Sequence, residues 1–392
     1  MKPLNSRRAI ELVMRLLAIP GKSCEELAIA YAVVDLLRQA GVPESCIAFD
    51  TAHKRTPTPG QVGNLIVKLP GGKKLPRLML SAHLDTVPIC VGCEPKKVGD
   101  LIRSSNTRTG LGGDDRAGVA AVLTAAIETL ESPEPHPPLT LCFFVQEEIG
   151  LQGSRHLTVS KLGNPQLAFN FDGGDPFKLT VGATGGERMR VRLYGIPAHA
   201  GVAPEQGANA ITAAALAIAK LHKERWLGAV KKGSQVGTSN VGVIHGGSAT
   251  NVVTDYVEVA AEARSHDGQF RTAIADAIEQ AFVTTASQVK NCEGGAVRAE
   301  CERRVDYEAF RLDPASLPVV LAERAIGEAG GVAKQSISNG GVDANWLVRH
   351  GIPTVTLGCG QRDIHTTHES LAIPDYLTAC DIARNIIRHA AR

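Results

Sequence analysis

The sequence predicts an α/β catalytic-type domain, with a mixed sheet and helices on both faces, interrupted by a smaller α+β domain. Three observations predict it. Buried-looking strand runs alternate with helical stretches up to residue 184, half-exposed alternation takes over from about Gly185, and the first texture returns after Leu312.

The opening reads as two helices. Ser23 followed by Glu26 forms a capping box, the apolar spacing continues to Leu37, and Gly41 stands where a C-terminal glycine cap would. Strand-like 65–69 and 77–82, helical 117–130, and strand-like 139–145 and 167–171 come next. In the middle, 188–194 alternates charged and apolar side chains. A helix at 208–221, strands at 237–244 and 256–264, a helix at 271–289 and a strand at 296–303 complete a β-α-β-β-α-β order. A helix through Ala322, a buried strand at 353–357 and a helix from Asp375 resume the first domain. The division is therefore 1–184 with 306–392 for the larger domain and 185–305 for the insert.

Bulk properties narrow the function. At 392 residues and 44% hydrophobic content the chain supports two globular cores. A net charge of +2 leaves no basic footprint, which argues against a nucleic-acid partner. No apolar run approaches the roughly 20 residues of a membrane span, and residues 1–8 lead into no signal-peptide pattern. Nine cysteines, an odd number scattered in apolar segments, fit reduced thiols and a cytoplasmic location.

Metal-binding residue types cluster just after the strand runs. His83-Leu84-Asp85 ends one, Glu147-Glu148 stands after another, Asp172 after a third, and His365 and Glu369 after the last. Asp114-Asp115 sits in the Gly-rich turn GLGGDDRAG ahead of a helix. Alone, each has an ordinary alternative: a surface pair for His83 and Asp85, a solvated loop for the glutamates, a helix N-cap for the aspartates. Ligands of open α/β sheets bind at the carboxyl ends of strands, so these groups are expected to converge. Two histidines and three carboxylates are a donor mixture zinc accepts. A shared aspartate would hold two ions about 3.5–4 Å apart, so that both polarise one water. Asp85 would orient the imidazole of His83, and one of the adjacent glutamates would bind metal while the other moves protons.

Nine segments, SAHLDTVP, GLGGDDRAG, QEEIGLQGS, FNFDGG, PAHAGVAPEQGANAI, GGSATNVV, EARSHD, NGGVDAN and IHTTHE, run in an order that resembles the co-catalytic zinc peptidase family of peptidase T, bacterial glutamate carboxypeptidases and aminoacylase. The likeness is nearest the peptidase T-like branch and runs from Ser6 to the end. It implies five ligands, His83, Asp114, Glu148, Asp172 and His365, with Asp114 bridging. It implies Glu147 as general base, Asp85 as orienting carboxylate, and a cis peptide between Asp114 and Asp115. It implies two divalent ions, zinc foremost, with cobalt and manganese sharing the ligand set. The activity implied is release of an N-terminal residue from a short peptide; deacylation of N-acyl amino acids is the runner-up. The insert would be a lid and homodimer contact whose His199, Asn251 and Arg264 grip substrate, His199 reaching the partner subunit's site; a helix cap or a loop contact is its plain alternative.

Arg116 departs from the family's usual Lys, and Asn170 replaces an apolar or acidic residue. His368 competes with His365, which the resemblance favours because the family's pattern places its histidine four residues before the glutamate, here Glu369. Cys90-Val91-Gly92-Cys93 has no second pair, so packing is the expectation there and at Cys359.

Overall fold

The computed structural model describes residues 3–72 and 75–391, so the outermost bounds of the sequence-derived division, residues 1 and 392, lie outside the described residues. The chain forms two compact units, Met1–Gly182 with Arg311–Arg392, and Ala183–Phe310.

The larger unit is built on a nine-stranded mixed sheet. At its centre Leu139–Phe144, Leu78–His83, Leu167–Phe171 and Thr354–Leu357 run parallel as neighbours. Leu65–Leu69 pairs antiparallel outside them. Central parallel strands are covered on both faces, and the runs LMLSAH, LTLCFF and LAFNF are buried at every position. Side chains alternate between faces. Leu78, Leu80, Leu139, Leu141, Phe143 and Phe169 point into one cluster with five long helices, Ser6–Leu17, Leu27–Gln39, Gly113–Leu130, Leu317–Glu328 and Ile373–Ala390. Met79, Cys142, Phe144 and Ala168 face a smaller cluster that includes Leu347 of the short helix Ala344–Arg349. Asn170 accepts a hydrogen bond from Ser81 Oγ across neighbouring strands (2.9 Å), which accounts for a polar residue in that run.

Strand register aligns the parallel strand ends. His83 lies opposite Phe144, and Phe171 opposite Leu357. The loops leaving these strands therefore emerge at one edge. A four-stranded antiparallel sheet that the sequence pattern does not predict, Gln361–Arg362, Ser370–Ala372, Leu101–Ser104 and Pro95–Val98, frames the segment that carries His365.

The capping box does not form. Ser23 Oγ donates to Asp85 Oδ2 (2.6 Å) and Glu26 accepts the N–H groups of Cys24 and Gln146, so both are drawn into long-range contacts instead. Gly41 does end the second helix, with φ +84°.

The smaller unit is a five-stranded antiparallel sheet in the order Gly228–Lys232, Gln235–Gly246, Tyr256–Ser265, Gly185–Tyr194, Arg298–Tyr307. Its edge strand Gly228–Lys232 is additional to the sequence-derived order. The helices Ala210–Lys223 and Gly268–Gln288 cover one face through Val191, Leu193, Val257, Val259, Ala217 and Ile278. Charged partners such as Arg192 and Glu258 occupy the alternate positions.

The helix Gly113–Leu130 approaches the end of the Phe171 strand so closely that a Cβ at Gly118 would lie 2.1 Å from the Phe171 carbonyl oxygen and 2.4 Å from Asp115 Oδ1. Gly118→Ala should therefore lower unfolding free energy by about 1–3 kcal/mol, as overpacking does. Urea denaturation checks this; a change within error would mean the helix shifts freely.

Candidate metal centre

His83 ends its strand, and its ring is fixed from both sides. Nδ1 lies 3.0 Å from the main-chain oxygen of Asp85, an obligate acceptor, so Nδ1 carries the proton. The Nε2 lone pair then faces Asp114 Oδ1 at 3.1 Å. A lone pair and a carboxylate oxygen attract only with a proton or cation between them. The carboxylate of Asp85, 3.5 Å from His83 Nδ1, is mainly engaged elsewhere. Its Oδ1 accepts the N–H of Glu147 (2.9 Å), and its Oδ2 accepts that of Glu148 (3.2 Å) and the Ser23 hydroxyl. Asp85 thus ties the His83 strand end to the turn bearing both glutamates.

The Gly-rich turn separates its two aspartates. Gly112 has φ +77°, and the Asp114–Asp115 peptide is cis. Asp115 Oδ1 accepts the Gly118 N–H (3.1 Å) and its Oδ2 the His83 N–H (3.0 Å). Capping therefore describes Asp115. Asp114 is left facing the strand ends.

His365, at φ +63°, places Nε2 2.9 Å from Glu148 Oε1 and 3.2 Å from Asp114 Oδ2. Donor atoms converge in two groups, His83 with Asp114 and Asp172, and Asp114 with Glu148 and His365, each within 4.8 Å. Neither His368 nor Glu369 joins them.

Charge in this region is unbalanced. Among the described residues no lysine or arginine pairs with Asp114, Asp172, Glu147 or Glu148. Arg116, wholly buried, donates to the main-chain oxygens of Leu84, Ile19 and Gly21. Burial, and then repulsion from Asp114, pushes the Asp172 carboxyl up to about 8. Burial raises Glu147 well above its usual range, opposed by His83 and reinforced by the buried Asp343. Hydrogen bonds to Asp114 and Glu148 lift His365 to about 10. Burial opposes ionisation of Asp114, but His365 and His83 hold its pKa below the usual range. Divalent cations would balance these charges without protonating the acids. The donor set, two imidazoles and three carboxylates around a buried, cation-poor point, fits two divalent ions.

Cys90 and Cys93 are buried and unpaired. Burial raises both thiols, Cys93 to about 11, so neither is reactive. Cys359 is buried in the core.

In the smaller unit, His199 is exposed, and its Nδ1 accepts the Gly201 N–H (3.2 Å), leaving the proton on Nε2. The cap of the next helix is Asn209, not His199. The exposed Asn251 accepts the Ala200 N–H through its main-chain oxygen, and His199 bridges Val252, so these two loops meet. Arg264 does not join them. It lies eight residues from Tyr256 along its strand, roughly 26 Å at about 3.3 Å per residue. Its Nε and Nη2 hold Glu262 in a bidentate pair (3.0 Å each).

Residues that sequence reasoning missed are those that hold the others. Gln361 donates to the Gly113 oxygen and Asp115 Oδ1 and accepts the Gly173 N–H. Glu369 stands out in the sequence as a metal-binding residue type and as a marker for His365, but its grip on the N–H groups of Leu111, Gly112 and Asp114 does not.

Parts of the chain match two known peptidase families. Residues 181–290 match the peptidase dimerisation domain family of the M20 peptidases, and residues 64–201 match peptidase family M28. The uncharacterized protein YqjE of Bacillus subtilis is 32% identical over 392 residues, covering 99% of this chain and all of that one. A tripeptidase of Staphylococcus aureus superposes with a TM-score of 0.89 at 30% identity, covering 99% of both chains. Aminopeptidase PepT of Bacillus cereus gives 0.85 at 32% identity, over 99% of this chain and 100% of its own. The dimerisation domain and the full-length likenesses decide between the two families. The chain belongs to the peptidase T-like branch of the M20 metallopeptidases.

Proposed function

We propose that this chain is an aminopeptidase that releases the N-terminal residue of short peptides, tripeptides among them. The observation that carries the proposal is Asp114, whose Oδ1 faces His83 and whose Oδ2 faces His365. A carboxylate with one imidazole at each oxygen suits two cations. In this reading His83 and Asp172 hold one ion, Glu148 and His365 the other, and Asp114 both. Zinc is the ion inferred, with cobalt and manganese able to replace it. When bound, such ions supply Lewis acidity to the scissile carbonyl and the attacking water.

The chain's own residues do the rest. Glu147 takes a proton from the attacking water and passes it to the leaving amine nitrogen. Its carboxylate has no hydrogen-bond partner among the described residues, and its N–H is fixed by Asp85, which supports that role. Asp85 orients His83 through its main-chain oxygen. His199 offers Nε2–H to the developing oxyanion. Asn251 grips the substrate carbonyl, and Arg264, whose Nη1 has no hydrogen-bond partner among the described residues, the substrate carboxylate. The relatives named tripeptidase and PepT favour peptides over N-acyl amino acids.

The inserted domain, 185–305, is inferred to be a lid and homodimer contact, which the dimerisation-domain match supports. The strand that separates His199 and Asn251 from Arg264 supports two chains per site: one site receives Arg264 from its own chain and the two loops from its partner. A cytoplasmic location is inferred from nine free cysteines. No described helix is long and apolar enough to cross a membrane.

Exhaustive chelation should abolish turnover of tripeptides and zinc or cobalt should restore it, with N-acetyl amino acids cleaved far more slowly. Peptide turnover by metal-free protein, or a preference for the acetylated substrates, would refute the proposal.

Glu147→Ala should keep its metal and lose about 10²–10⁴-fold in kcat, whereas Glu148→Ala should lose metal. Elemental analysis beside steady-state kinetics separates the two, and swapped phenotypes would reverse the assignment.

Mixing inactive His199→Ala with inactive Glu147→Ala protein should regain about a quarter of wild-type activity. Half of randomly paired dimers are mixed, and each holds one intact site of two. No recovery, with subunit exchange confirmed by labelled chains, would confine His199 to its own chain.

A further inference from the structure

Glu369 is 2% exposed and joins neither group of converging donors. Both its oxygens are turned on one loop. Oε2 accepts the N–H groups of Leu111 (2.9 Å) and Gly112 (2.7 Å), and Oε1 accepts that of Asp114 (3.1 Å). The Cys90 thiol adds a longer contact to Oε2 at 3.6 Å. The loop cannot satisfy these groups itself. Gly112 is left-handed, Asp114 has ψ 101°, and none of the three N–H groups has a main-chain acceptor among the described residues. An unpaired buried N–H is costly, and bonds to a carboxylate are the stronger kind.

The sequence of the loop records the same contact from the other side. A Cβ at Gly110 would lie 3.1 Å from Glu369 Oε2, and one at Gly113 3.3 Å from Oε1. These glycines leave room for the incoming carboxylate. Glu369 arrives from the segment held between Gln361–Arg362 and Ser370–Ala372, whose antiparallel pairing is itself joined to Leu101–Ser104. His365 lies on that segment.

We propose that Glu369 is a positioning residue for the metal centre: by gripping three N–H groups of the Leu111–Asp114 turn it fixes the place and direction of the shared carboxylate of Asp114. One short segment thereby delivers a ligand, His365, and sets another that lies some 250 residues earlier in the chain. The inference rests on the proposed metal centre.

Cobalt(II) tests it with readouts other than turnover. Wild-type protein, stripped and titrated with cobalt, should take up two ions per chain with a visible d–d spectrum. Glu369→Gln keeps the shape but turns an N–H₂ toward N–H donors. It should bind cobalt at least about tenfold more weakly, as loss of a supporting bond around a metal site does, and its d–d bands should shift in position and intensity. Its metal-free circular dichroism should match the wild type, which a merely stabilising role would not combine with a changed spectrum. Glu369→Asp, which retains charge and loses reach, should fall between the two and serves if the Gln variant does not fold. Either variant binding cobalt with wild-type affinity and spectrum would overturn the proposal while leaving the metal centre standing. Wild-type protein that binds fewer than two ions would instead overturn the centre, and this inference with it.

Discussion

Acidic groups packed together with two histidines but, among the described residues, no lysine or arginine are the constraint around which the larger unit is organised. At an effective dielectric near 20, two carboxylates about 4 Å apart repel by roughly 4 kcal/mol. Asp114, Asp172, Glu147, Glu148 and Asp343 share one region, and burial, reinforced by mutual repulsion, lifts all but Asp114 above the usual range. A lysine or arginine inserted there would relieve the repulsion and compete with any metal. The chain does something else. Arg116, next in the chain to the two aspartates, is turned onto three main-chain oxygens and leaves the acids to a divalent partner.

Holding such a site then falls to main-chain N–H groups. Asp85 grips those of Glu147 and Glu148, Asp115 those of His83 and Gly118, and Glu369 those of Leu111, Gly112 and Asp114. Asp85 and Glu369 each aim other carboxylates, and Asp115 aims the imidazole of His83. The parallel strands explain why this suffices. Their ends are already aligned by register, His83 beside Phe144 and Phe171 beside Leu357, so each carboxylate has only one turn to fix.

This division of labour explains what the sequence disclosed. Strand runs and the residues just beyond them were legible because period and chain order are local properties. All five candidate ligands stand where a strand or turn ends, and they converge as that pattern implies. The braces were not legible, since their partners are far away in sequence. Ser23 and Glu26 satisfy every local rule for a capping box, yet they bond Asp85 and Gln146, 62 and 120 residues away. Residue type and spacing alone did not distinguish Asp115 from Asp114; only the family resemblance singled out Asp114, and the turn separates the two. The edge strand Gly228–Lys232 escaped for a different reason: GAVKK carries too little apolar alternation to stand out from a loop.

The smaller unit obeys a second constraint, the length of a strand. A pleated strand keeps Arg264 and the loop after Asn251 at opposite ends, and no side-chain rotation closes that distance. Arg264 is also prepared in a particular way. Glu262 takes the Nε–Nη2 edge of the guanidinium and fixes its plane, which leaves the Nη1 side for a second acceptor. His199 is prepared similarly, since the Gly201 N–H fixes its tautomer and leaves Nε2 as the donor. In the proposed function, donors at two ends of one sheet would serve a small substrate only if different chains contributed them. Strand geometry, rather than any feature of the metal centre, is therefore the reason to expect that the working unit contains two copies of the chain.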